Sequence, residues 1–394
     1  MRKTIWSLFL ILLFSCGCAT VPLKENKSIQ IAENAYSNYK SAAELIVPVD
    51  RANYYTFMEV LNIGWRKEDK NLEKLLSDNE PVFKEFKKGL EKEKCSLPIV
   101  KSPEECREIL YCLDRFRELT RLLTLKIQFQ VYKKDYNKAI QDCLDIIRFG
   151  QHLEKGGNSF SKRIGMAIQN NGYKNLRDVV FQTKRLNYSR LLENIQSFKN
   201  NIKTREHFGE ILKRELSDIK FNVSPLLLSE IDWGGVKESY QASGYTQEEV
   251  IKSIKVCYLD AIGYIDLSYN GGLTAWKLPQ IPQNPIRQIL MPILRNMYIE
   301  CGRLDTERDA TFIIVGLEYY YNKNNKYPEK LSSLVPKYLP SLLNDPFTGE
   351  SFVYQRMGKG WSMYSIGSDL KNDFGQKHSY LSEDGTGDII FYKE

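Results

Sequence analysis

The chain has 394 residues, 42% of them hydrophobic and 27% charged, which is too long for one ordinary core and too apolar for a disordered chain, so two domains are expected. Its 56 lysines and arginines against 49 aspartates and glutamates leave a charge of +7, spread along the chain instead of gathered into the basic stripe of a nucleic-acid binder. No apolar run of about 20 residues occurs past the N-terminus, which excludes a polytopic membrane protein, and only three histidines occur, which argues against a histidine-rich metal or acid/base site.

Arg2 and Lys3 precede the apolar run from Ile5 to Phe14, which ends at Ser15-Cys16-Gly17-Cys18. A charged start, an apolar stretch of this length and a small residue before cysteine read as a signal peptide over residues 1–15. Leu13-Phe14-Ser15-Cys16 resembles the lipobox of bacterial lipoproteins. The resemblance implies cleavage before Cys16, acylation of its thiol with palmitate-type chains, and a membrane partner reached through that lipid. Gly17, where an aspartate would retain the protein elsewhere, implies an outer-membrane location facing the periplasm. Cys18 is the second candidate for lipidation, and an ordinary secretory signal is the plainer reading. Residues 16–27 then form a lipidated tether.

Ser28–Ala43 and Asn71–Lys92 carry apolar residues at helical spacing. Cys95 and Cys106 flank Leu97-Pro98-Ile99-Val100 and can close a small loop in an oxidising compartment, with Cys112 competing for either partner. Cys143, Cys257 and Cys301 read as isolated buried thiols. Ser102-Pro103-Glu104-Glu105 offers a capping residue, a first-turn proline and first-turn acids, so a helix is expected from there. Proline is then absent through Ser224, and Leu119, Leu122, Leu123 and Ile127 mark an amphipathic helix. Tyr132 to Ile140 resembles the turn and second-helix start of a tetratricopeptide repeat, with Tyr136 and Ala139 as packing residues. No 34-residue period accompanies it, so a helical bundle with one such turn is the equal alternative. An α-helical domain over residues 28–276 is expected.

Pro279, Pro282 and Pro285 forbid a regular helix and mark a linker over 277–286. A long helix follows from about Ile286 to Asn325, with Pro292 expected to start or kink it. Asp345-Pro346-Phe347-Thr348-Gly349 is a turn. Ser351–Met357 and Trp361–Ile366 alternate in strand fashion across Gly358-Lys359-Gly360, and Asp388–Tyr392 offers a third strand. The fold class is therefore α+β, with an all-α part before the linker and a helix laid on a small antiparallel sheet over 287–394.

Within this last part, Leu317-Glu318-Tyr319-Tyr320, Lys326-Tyr327-Pro328, Leu334 to Leu339, Asp345-Pro346 with Gly349, and Tyr364 to Asp369 follow one another in an order that resembles the globular domain of the type II secretion major pseudopilin. The apolar helix that packs pseudopilins into a filament does not precede them, so the fold is the safer inheritance. The resemblance implies calcium in the loop before the last strand. By position Asp369 and Asp388 match best, with Asp373 and Asp384 in support, and a hard cation takes 6–8 such oxygens.

Neither a Gly-x-Ser-x-Gly elbow, a His-Glu-x-x-His helix, a Walker loop nor a Gly-x-Gly-x-x-Gly fingerprint occurs. His152 reads as a helix-end residue explained by the dipole, and His207 and His378 as solvated. Glu104-Glu105 and Glu248-Glu249 read as first-turn acids, and Trp233, Trp276 and Trp361 as packing residues. The expectation is a lipid-anchored, non-catalytic protein that contacts unidentified envelope proteins. An envelope hydrolase acting on peptidoglycan, glycan or peptide through scattered residues is the alternative.

Overall fold

A computed structural model describes residues 34–98, 103–184, 186–222, 244, 246–276, 285–375 and 387–393. Cys16, Cys18, Trp233, His378, Asp384 and the prolines Pro279 and Pro282 lie outside them. The chain divides into two compact units on either side of the Leu186–Asn187 peptide. That division falls before the helices that precede the proline cluster, whereas composition placed it at 277–286. The described residues are mostly helical, with one small antiparallel sheet, an α+β fold.

The described part of the first unit is built from helices. Helix α1 (Ala35–Glu44) is capped by Asn34, whose side chain accepts from the Tyr36 N–H. Helix α2 spans Tyr54–Ile63. The single helix expected over Asn71–Lys92 is two, α3 (Lys70–Asp78) and α4 (Glu80–Leu90). The break is at Asn79, which is fully buried and gives its side-chain amide to the carbonyls of Val47 and Leu75. Pro81 opens the following turn, where its missing N–H costs nothing. Helix α5 (Pro103–Tyr132) begins at the expected proline. The chain reverses at Lys134, held at a φ of 61°, and enters α6 (Tyr136–Lys155) and α7 (Ser159–Val180). Ala139 is buried and Tyr136 half-buried.

Four rings form the centre of this unit. Tyr39 of α1, Phe86 of α4, Phe116 of α5 and Phe149 of α6 meet at centroid distances of 4.5 Å for Tyr39–Phe149 and 5.4 Å for both Phe86–Phe149 and Phe116–Phe149. These are tilted and edge-to-face contacts, the arrangement aromatic quadrupoles favour. Helices α6 and α7 then approach so closely that a Cβ on Gly150 would lie 2.6 Å from the Gly165 carbonyl oxygen, so any side chain there must push the helices apart. Beside that crossing Lys162 and Glu154, both wholly buried, form an ion pair, and Gln169 donates to the second Glu154 oxygen at 2.7 Å. Each Glu154 oxygen thus faces a donor, as a buried charge requires.

Cys95, Cys112, Cys143, Cys257 and Cys301 are buried, free thiols. Burial pushes the Cys95 thiol up to about 12, which keeps it protonated. The side chain of Cys106 lies outside the described residues.

In the second unit, α8 (Tyr188–Asn201), α9 (Thr204–Asn222), α10 (Gln247–Ile265) and α11 (Tyr269–Trp276) precede the long α12 (Pro285–Asn324). The acids Glu248 and Glu249 stand in the first turn of α10, where Glu249 completes a capping box with Thr246. Pro292 lies inside α12, so it does not start the helix. Helices α8, α9 and α10 all pack on α12. After a 3₁₀ turn at Leu331–Leu334, strands β1 (Val353–Met357), β2 (Gly360–Ser365) and β3 (Ile389–Lys393) form an antiparallel meander in the order β1-β2-β3. The hairpin turns at Gly358, which takes a φ of 58°. Trp361 is 1% exposed, a packing residue as expected.

His152 corrects one expectation. Its Nδ1 lies 2.7 Å from the Tyr39 hydroxyl, and burial, helped by Arg148 and Lys155, pushes the imidazole down to about 4. It is therefore neutral at ordinary pH, and no charge meets the helix dipole. The unfolded chain binds this proton near pH 6.5 and the folded chain only near pH 4. The stability linked to it is complete above the higher value and drains away as pH falls toward the lower. Unfolding at stepped pH should show that decline between about 6.5 and about 4, and His152→Gln should flatten it.

Candidate functional site

Between Cys301 and Val315, helix α12 is buried on most of its surface, yet it carries Asp305, Arg308 and Asp309 inside that stretch. At spacings of three, four and one the three side chains share one helix face. Arg308 is 7% exposed; its Nη1 donates to Asp305 Oδ1 at 2.7 Å and its Nε to Asp309 Oδ1 at 2.9 Å. The remaining oxygens are also occupied. The Tyr269 hydroxyl of α11 donates to Asp305 Oδ2 at 2.8 Å, and Lys199 of α8 donates to Asp309 Oδ2 at 3.0 Å. One guanidinium thus ties two acids of its own helix, and each acid ties a neighbouring helix. Burial, with Asp305 adding to it, holds the Tyr269 phenol well above the ordinary range, so the hydroxyl stays a donor.

This network borders a cleft of about 440 Å³, also lined by Lys203, Arg205, Glu206, Asn344, Asp345 and Pro346. Arg205 donates to the Leu267 carbonyl and to Glu206. Asp345 accepts from the Phe347 N–H at 3.0 Å, the Ser365 hydroxyl at 2.8 Å and the Ile366 N–H at 3.3 Å. Burial raises its carboxyl despite these bonds. Those contacts fix the expected Asp-Pro turn, in which Gly349 takes a φ of 77° and its N–H donates to the Asp345 carbonyl at 2.8 Å. The turn seats Phe347 on α12 at Gly302, where a Cβ would come within 2.6 Å of the ring. Lys203 is exposed and has no ion-pair partner among the described residues.

A second contact between α12 and the C-terminal segment is made by Glu318. Its carboxylate accepts from the Tyr327 hydroxyl at 2.7 Å and from Lys393 of β3 at 2.8 Å. The tyrosines around it are packed, with Tyr319 stacked on Tyr188 of α8 at 5.1 Å and Tyr320 tilted against Tyr338 at 4.9 Å.

Of the residues expected to bind calcium, Asp369, Asp373 and Asp388 are brought near one another, and Asp384 lies outside the described residues. Asp388 accepts the Gly375 N–H at 2.7 Å and the Asp373 N–H at 3.3 Å, one on each oxygen. Asp369 accepts the Lys371 N–H at 3.0 Å. The Asp388 carboxyl is raised by burial and further by the charges of Asp373 and Asp369, against the lowering effect of the two amides. Among the described residues no group of three or more His, Cys, Asp or Glu side chains is arranged to hold a metal ion. Asp369 and Asp388 accept backbone amides.

Sequence reasoning missed Lys199, Asp305, Arg308 and Asp309. The available signal was an Asp-x-x-Arg-Asp pattern set in a helix otherwise rich in apolar residues. Comparison with known protein families, curated sequences and solved structures returns no match to this chain.

Replacing Arg308 with leucine leaves the buried Asp305 carboxylate without a cation and Asp309 with Lys199 alone. The expected cost is about 3–5 kcal/mol of stability, whereas Lys203→Ala should change stability by no more than about 0.5 kcal/mol. Calorimetric unfolding of the full chain and both variants checks the contrast.

Proposed function

We propose that this chain is a lipid-anchored, non-catalytic protein of the bacterial cell envelope, fixed by acyl chains on Cys16 and serving as a scaffold for other envelope proteins in a secretion- or pilus-related setting. The observation that carries the reading is the state of the three aspartates at the cleft. Asp305 and Asp309 are spent on Arg308, Tyr269 and Lys199, and Asp345 is spent on its own turn. Acid/base chemistry needs a carboxyl that reaches the proton it moves, and side chains committed in this way serve packing instead.

The N-terminal sequence supports the anchor. Each buried methylene of an acyl chain contributes about 0.8 kcal/mol, and more than one chain makes attachment stable. The outer membrane, facing the periplasm, is the location in this reading. The secretion-related setting is supported by the order of elements after Pro285: one long helix, a short 3₁₀ turn, an Asp-Pro turn and a three-stranded antiparallel meander. The pseudopilin-like arrangement of that region is part of the proposal. Calcium at Asp369, Asp373, Asp384 and Asp388 belongs to the same reading. The crowding of Asp369 and Asp373 against Asp388 supports it, because a divalent cation relieves like-charge repulsion. It also needs oxygens from outside the described residues.

One observation favours the hydrolase alternative: the raised carboxyl of Asp345 lines the cleft. The two readings separate in one experiment. Cells producing the full chain or Cys16→Ser are fed an alkyne-tagged fatty acid, and the solubilised envelope is captured on the tagged protein with calcium or with a chelator. Acylation of the parent alone, with co-purifying proteins that chelation depletes, is the expected result. No tag on the parent refutes the anchor, and cleavage of peptidoglycan or peptides that is abolished by Asp345→Asn refutes the non-catalytic role.

A further inference from the structure

We propose that the segment from Leu45 to Ile63 is a membrane-facing surface, resting Tyr54, Tyr55 and their apolar neighbours in the interface of the bilayer that holds Cys16. The inference rests on the lipoprotein reading and adds to it the face that the first unit turns to the lipid.

Six large hydrophobic side chains are exposed among the described residues of the first unit, and five of them, Leu45, Val47, Tyr54, Tyr55 and Ile63, fall in this one short segment. Tyr55 is 84% exposed. Helix α2 explains the concentration. Its sequence, from Tyr54 to Ile63, contains a single charged residue, Glu59, and only Phe57 and Val60 are buried. A helix packed along one stripe normally turns a mostly polar face to water; α2 turns out Tyr54, Tyr55 and Ile63 beside only Glu59 and Asn62, with Met58 and Leu61 half-exposed.

The exposure is built into the fold and is not a property of a loose loop. Asn79 holds both the N–H and the carbonyl of Val47, at 2.9 and 3.0 Å. Asp50 accepts from the backbone and side chain of Asn53, and Asn71 donates to the Asn53 side chain at 3.2 Å. The apolar side chains are thereby presented from a fixed backbone on both sides of the turn before α2.

Two features point to a bilayer as the occupant. Seventeen residues separate Cys16 from Asn34; a chain of that length reaches at most about 60 Å, and α1 adds only about 15 Å between Asn34 and Leu45. An anchor on Cys16 therefore leaves the segment within reach of the same membrane. The chemistry matches as well. Tyrosine, with an apolar ring and a polar tip, concentrates at the headgroup level, and Tyr54 and Tyr55 stand side by side, ring centroids 6.3 Å apart. From Lys40 to Lys70 five basic and five acidic residues cancel, so attachment comes from apolar area and not from attraction to anionic lipid.

The test uses the full mature chain with a histidine tag ahead of Cys16, tethered to phosphatidylcholine vesicles doped with a nickel-chelating lipid. Tyr55→Trp adds a fluorophore on the proposed face, and Tyr111→Trp adds one at the sixth exposed hydrophobic position. Lipid brominated in its acyl chains should quench the added Tyr55→Trp emission roughly twofold, equally at low and high salt, and leave the added Tyr111→Trp emission nearly unchanged. Equal quenching at both positions, or none at Tyr55→Trp, overturns the proposal. So does a concentration-dependent dimer in vesicle-free solution that Tyr54→Ser with Tyr55→Ser abolishes, because a second copy would then own the face. The nickel tether replaces the acyl anchor, so a failed lipoprotein reading shows only as an untagged Cys16 in cells, while a failed surface shows here.

Discussion

A charge removed from water must meet its opposite, and in both units of this protein that requirement decides how helices are joined. Arg308 is the clearest case. It lies buried in α12 between Asp305 and Asp309, whose second oxygens reach Tyr269 and Lys199 on other helices. Each member depends on the others, because removing one exposes its neighbours to the full cost of an unpaired buried charge. Glu154 and Lys162 repeat the logic in the first unit, where Gln169 fills the last acceptor and two glycines let α6 and α7 close over the pair. Asp142 extends it: burial alone would raise its carboxyl, but Lys126 and Lys87 lower it on balance.

Helix α12 consequently acts as the spine of the second unit. Its Gly302 and Gly316 leave room for Phe347 and Leu339, Glu318 draws in Tyr327 and Lys393, and α8, α9 and α10 lie along it. The sheet, the Asp-Pro turn and four upstream helices are thus organised around one element. Three of the acids beside the cleft, Asp305, Asp309 and Asp345, are thereby hydrogen-bonded into that scaffold.

Much of this was legible in the residues, for identifiable reasons. The two hairpin strands announced themselves through period-two alternation and the glycines between them, and Pro103 marked the start of α5, because these signals are local. Asn79 was not legible as a helix break, since its effect depends on Val47, distant in sequence, offering a backbone to pair with. Asp305, Arg308 and Asp309 were passed over because charge on a helix normally marks a solvated face, and only the packing of α8 and α11 on that face makes it interior. The same applies to the packing of α8, α9 and α10 on α12. Composition sees three prolines and marks a boundary; it does not see helices on either side burying apolar surface together.

The account's central claim is that the charges in α12 are structural. The most direct test replaces Asp305, Arg308 and Asp309 with leucine, methionine and leucine, together with Tyr269→Phe and Lys199→Met so that neither partner is left unpaired, and measures both thermal unfolding and capture of envelope proteins. Stability near that of the parent, or above it, with capture intact is the predicted result, since a satisfied ionic cluster and a packed apolar one are close in free energy. A stable, folded variant of this kind that no longer captures any partner would contradict the claim, because the charges would then have been serving a ligand.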